Sequence, residues 1–138
     1  MPEKKTIERA KKDKAEGKAP ATQAGEFVRE EVNHIRQGKH GARSPQQAIA
    51  IGLSKARRAG VALAPPPKGR TSEATRKRAE HDLAKGRKGG TSKPSLSRSR
   101  ARQKALKREP RSSASTAALS RHAKQAAGRR RASKKSAA

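Results

Sequence analysis

"SPQQAIAIGLSKARRAG" (residues 44–60) decides how this chain folds. Ser44 followed three residues later by Gln47 is a capping-box pattern, and Pro45 stands at the first helical position, where a missing N–H costs nothing. Gly60 supplies a stop, so the spacing predicts a helix. The alternation "AIAI" also suits a short strand, but the start and stop signals favour the helix. Ile49, Leu53 and Ala56 share one face, while Ile51 points nearly opposite, flanked by Ala48 and Ala50. A helix apolar around much of its circumference is buried on more than one side. Gly52 costs ~1 kcal/mol relative to alanine in a helix, which a close helix–helix approach would explain.

Working outward, "ATQAGEFVREEVNHIRQ" (21–37) places Ala24, Phe27, Val28, Val32 and Ile35 on one arc of a helical wheel, with Thr22 as N-cap and Gly38 as C-terminal stop. Joined by the loop "GKHGARS", the two helices predict an αα-hairpin with a core of Phe27, Val28, Val32, Ile35, Ile49 and Leu53. One hairpin covers only one side of the second helix. Ile51 is therefore assigned to self-association, with two hairpins pairing as a homodimer.

The remainder cannot fill a large core. Leu, Ile, Val and Phe number 14 of 138 residues, and most of the rest of the apolar content is alanine. Such a composition with high net charge belongs to chains that remain largely unfolded alone. Residues 3–16 mix acids and bases and suit a solvated helix laced with i,i+4 pairs, before Gly17 and Pro20 break the chain. "VALAPPPKGR" reads as an extended linker. Segments 72–85 (stopped at Gly86), 95–108 (stopped at Pro110) and 113–127 are candidate helices, separated by a loop "GRKGGTSKP". The expected organisation is a charged segment at 1–19, a helical hairpin core at 20–62, a Pro-rich linker at 63–70 and a basic tail at 71–138. The expected class is mainly α, a short αα-hairpin nucleus with largely disordered or conditionally helical basic arms.

Charge is the strongest signal. Lys and Arg total 37 against 11 Asp and Glu, a formal net charge of +26. Residues 1–38 are nearly balanced, with 9 cations and 7 anions; residues 39–138 hold 28 cations and 4 anions. A block like this repels itself unless a polyanion neutralises it. The candidate phosphate contacts are Lys55, Arg57 and Arg58 on the second hairpin helix, and Arg76, Lys77 and Arg78 just beyond the linker. Further on come Arg98, Arg100, Arg102, Lys104, Lys107 and Arg108, then Arg129, Arg130, Arg131, Lys134 and Lys135. Double-stranded DNA is the expected partner, structured RNA the alternative and a protein docking on the hairpin a third. Stacking on single strands uses aromatics, and the only one, Phe27, is needed in the core. The hairpin loop is longer than that of a helix-turn-helix, so little sequence preference is expected.

Other classes find little support. There is no cysteine, so thiolate metal sites and disulfides are excluded. His34, His40, His81 and His122 show no recognised metal spacing and read as surface residues, so neither metal nor cofactor is expected. The serines have no nucleophile motif, which argues against an enzyme with a small-molecule substrate. The first twenty residues have no apolar run, and the arms lack the Trp, Phe and Leu of membrane-inserting helices. The expectation is a cytoplasmic, nucleoid-associated protein that does not engage membranes.

The cassette "ARSPQQAIAIGLSKARRAG" with the preceding "TQAGEFVREEVNHIRQGKHG" resembles a family of small basic bacterial proteins built around a domain of unknown function, commonly labelled DNA-binding or plasmid-stabilisation proteins. Gln47, Ala48, Ile49, Ala50, Ile51, Leu53, Ser54, Ala56 and Arg57 carry the resemblance. It is close across residues 1–70 and looser through "KPSLSRSRARQKALKREPRSSASTAALSRHAK". Gln46 departs from it, standing where a basic residue is common. The resemblance implies a bacterial origin and a role in nucleoid packaging, DNA protection or plasmid maintenance.

Overall fold

The computed structural model describes residues 2–89 and 95–137. These are mainly α: α1 (Lys4–Ala15), α2 (Pro20–Arg36), α3 (Pro45–Arg58), α4 (Glu73–Arg87), α5 (Leu96–Lys107), a short 3₁₀ turn (Ser112–Ala114) and α6 (Thr116–Ala137). The loop expected at 86–94 falls mostly outside the described residues; Gly86 and Arg87 belong to α4.

Local signals explain most helix ends. Ser44 Oγ accepts from the Gln47 N–H at 3.2 Å, capping α3. Gln47 Oε1 reaches one residue further back than a capping box requires, accepting from the Arg43 N–H at 2.6 Å. Helix α2 begins at Pro20, not at Thr22: proline occupies its first turn, and the N-cap Ala19 offers no side chain. At its other end the N–H groups of Gly38 and Lys39 donate to the carbonyls of Ile35 and His34, a Schellman stop that uses Gly38 at φ 78°. Helix α3 ends the same way at Gly60, with Val61 folding back into the core.

Helices α2 and α3 pack against each other, but α3 is turned relative to the expected phase. Its buried stripe is Ala48, Gly52 and Ala56, with Arg57, while Ile49 and Leu53 lie half-buried at the flanks. The small stripe lets the backbones approach: a Cβ on Gly52 would stand 2.6 Å from Val28 Cα and 2.9 Å from Val28 Cγ2. On α2, Phe27 and Ile35 are fully buried, while Val28 and Val32 are half-buried.

Two small apolar clusters sit along this seam. Phe27, Ala24 and Ala56 gather Ala10 of α1 and Val61, with Ile7, Leu53 and Leu63 packed around them. Ile35 and Ala48 gather Ala42 and Ala114, with Val32 beside them. Packing therefore crosses the compositional boundaries. Helix α1 lies against α2, Leu63 of the linker joins the first cluster, and the 3₁₀ turn of the basic tail completes the second.

Helix α4 covers another flank of α3. Asp82 accepts from Arg58 Nε and Ser54 Oγ, both at 2.7 Å. Gly86 does not stop α4; it lies inside the helix, where its bare Cα admits the Arg57 carbonyl. Ile51 is half-buried and stands one turn before Ser54 on this stripe.

Gly52→Ala gains ~1 kcal/mol of helix propensity but overpacks a backbone contact costing ~1–3 kcal/mol, so unfolding in urea should show a net loss of about 1 kcal/mol. Gly25→Ala, where a new Cβ meets nothing within 4 Å, should instead stabilise the protein by about 0.5–1 kcal/mol.

Candidate nucleic-acid interface

The cations divide into those that hold the fold and those that face outward. Lys55, a candidate phosphate contact, donates from Nζ to Oε1 of Glu31, whose side chain is only 1% exposed. Arg57 is buried, with Nε donating to the Leu63 carbonyl and an Nη to the Ala64 carbonyl, both at 3.1 Å. Burial pushes its guanidinium below the usual range, against the opposing pull of Asp82. Arg58 pairs with Asp82, and Arg76 pairs with Glu73 and Glu80. Lys55 and Arg58 meet buried carboxylates and Arg57 is itself buried, so these three serve the fold. The Glu73 and Glu80 side chains that pair with Arg76 are exposed, and such surface pairs contribute little.

Lys77, Arg78, Arg98, Arg100, Arg102, Lys104, Lys107, Arg108, Arg129, Arg130, Arg131, Lys134 and Lys135 are all exposed. Each lacks an ion pair among the described residues. The charge count explains this. Beyond Asp82 the sequence carries eighteen Lys and Arg and a single acid, Glu109. Helix α5 has no buried residue, and Arg100, Gln103, Lys104, Lys107 and Arg108 line a shallow open depression on it. Their spacing of three and four residues sets them in one stripe. Helix α6, at 22 residues, is about 33 Å long and carries the Arg129–Arg131 run in its C-terminal half.

The tail is attached to the hairpin by arginines that sequence reasoning did not single out. Arg111 donates from Nε to the Ile35 carbonyl at 3.3 Å and from an Nη to the Arg36 carbonyl. The Arg36 carbonyl is an acceptor left over at the end of α2, and the Ile35 carbonyl takes Arg111 as a second donor beside the Gly38 N–H. Arg36 Nε answers with a bond to the Ala114 carbonyl at 2.9 Å. The N–H groups of Gly41 and Ala42 bond the Leu106 and Pro110 carbonyls at 2.8 and 3.1 Å. Nothing in local sequence marks these contacts, since each joins residues more than sixty positions apart.

Two histidines also depart from the surface role expected of them. The side chains of His34 and His40 are 14% and 15% exposed. His34 Nε2 lies 3.0 Å from Glu3 Oε1 and His40 Nε2 lies 3.2 Å from Glu31 Oε2. The hydrogen bond from His34 holds the Glu3 carboxyl below its usual range. The signal was present in sequence as Glu30, Glu31 and His34 at i, i+1 and i+4, with His40 just past the Gly38 turn.

No helix among the described residues is long and apolar enough to cross a membrane. Comparison of the chain with protein-family models, curated proteins and solved structures finds no match.

Substituting one cation of each kind separates the two sets. Arg57→Met removes two hydrogen bonds from a buried guanidinium to the Leu63 and Ala64 carbonyls and should lower the unfolding free energy by about 1–3 kcal/mol. Lys104→Met removes the same charge from the α5 stripe and should stay within about 0.5 kcal/mol of the parent in the same urea titration.

Proposed function

We propose that the chain is a non-enzymatic DNA-binding protein with little sequence preference, acting by phosphate neutralisation. The observation that carries this reading is the run of exposed cations on α5 and α6, which meet no carboxylate among the described residues. Cations along a helix displace condensed counterions from a duplex, giving affinity without base readout. Duplex DNA is favoured over single strands because Phe27, the sole aromatic, is 1% exposed and offers no stacking platform.

In this reading the hairpin with α1 and α4 is the anchor, and α5 and α6 are arms whose helices strengthen when phosphate cancels their self-repulsion. Isolated helices of this length and charge are marginal in water. The resemblance to bacterial proteins labelled DNA-binding or plasmid-stabilisation agrees with a role in nucleoid packaging, protection or plasmid maintenance in the bacterial cytoplasm.

Fluorescence anisotropy on random-sequence duplexes tests the proposal. With six to ten phosphates engaged, affinity should fall roughly 10³–10⁵-fold between 50 and 200 mM salt. Replacing Arg129, Arg130 and Arg131 together by Gln should reduce the log–log salt slope by about 3, while Arg57→Met leaves it unchanged. A flat salt response contradicts the proposal, and preference for folded RNA over duplex DNA in direct competition would change the partner class.

A further inference from the structure

We infer that Glu31, His34 and His40 form a binding site for a divalent transition-metal ion of the zinc type. Each offers one ligand atom, and the three atoms lie within 4.8 Å of one another. Two imidazoles and a carboxylate are the donor set that borderline divalent ions take from proteins, leaving a further position for water.

The surroundings support this. Glu31 is buried with one oxygen engaged by Lys55, while Oε2 faces His40. Glu3 Oε1 lies on His34 Nε2, and a carboxylate on one ring nitrogen fixes the tautomer and leaves the other nitrogen as a lone-pair donor. Glu3 is itself placed by its backbone N–H, which donates to Glu30 Oε1 at 2.5 Å. Glu30 is 5% exposed, and its Oε2 has no hydrogen-bond partner among the described residues. Glu3, Glu30 and His34 form a second converging trio that shares His34. The contacts thus assemble three carboxylates, Glu3, Glu30 and Glu31, against two ammonium groups, Lys39 and Lys55. In a chain of +26 this is a local excess of negative charge around two imidazoles, which a divalent cation would offset. Ligands come from α2 and the loop after it, oriented by the start of α1, so a bound ion would clasp the loop that receives the basic tail.

The site is independent of DNA binding and is tested on the full chain without DNA, using Zn²⁺ as the probe. Calorimetry should show one saturable site per chain. Imidazole ¹⁵N spectra should shift for His34 and His40 and not for His81 or His122, a readout that needs no variant. His34→Ala and His40→Ala should each weaken Zn²⁺ at least about tenfold, with circular dichroism confirming that each remains helical. Absence of saturable binding, equal shifts at all four histidines, or full affinity in the His34→Ala/His40→Ala double variant would each overturn the inference.

Discussion

The structure depends on carboxylates placed inside a strongly cationic chain. Glu31 lies between α2 and α3 with its side chain 1% exposed, engaged by Lys55 on one oxygen and facing His40 on the other. An ionised carboxylate so deeply buried is tolerated only with partners in place, so Glu31 also dictates where Lys55 and the loop after α2 must be. Asp82 does the same between α3 and α4, holding Ser54 and Arg58. At the α1–α2 turn, Asp13 and Glu16 hold Lys18 and keep its ammonium above its usual range. With few large apolar side chains available, these polar junctions supply much of the orientation that a larger core would give.

A division of labour follows from where the acids run out. Up to Asp82 the chain holds ten acids for nineteen Lys and Arg; beyond it only Glu109 remains against eighteen. The basic tail is nevertheless attached, because Arg111 caps the end of α2 and Ala114 fills the second apolar cluster. The attachment fixes where the tail begins and leaves the cations of α5 and α6 facing solvent.

The limits of α3 and the α2 face were legible in sequence: Ser44, Pro45 and Gly60 bound α3, and Phe27 and Ile35 are the buried anchors. The phase of α3 was not. A wheel ranks Ile49 and Leu53 above Gly52, yet close approach rewards the residue with no side chain, and the larger ones move to the flanks. Gly86 was misread for the same reason, as a stop instead of a contact for the Arg57 carbonyl. Charge alone could not distinguish Lys55 and Arg57 from Lys104 or Arg129, because the distinction lies in partners far along the chain. The near balance of acids and bases before residue 38 was the available hint that some cations serve the fold.

Glu31 and Asp82 fix the cations that meet them inside the α1–α4 body, and we propose that the exposed cations of α5 and α6 are neutralised by a polyanion. Hydrogen exchange on the full chain with and without duplex DNA tests it most directly. The amides of 20–36 and 45–58 should be equally protected in both states, and those of 96–107 and 116–137 should slow only when DNA is added. Tail amides as protected as those of α2 in the free protein, and unmoved by DNA, would contradict it.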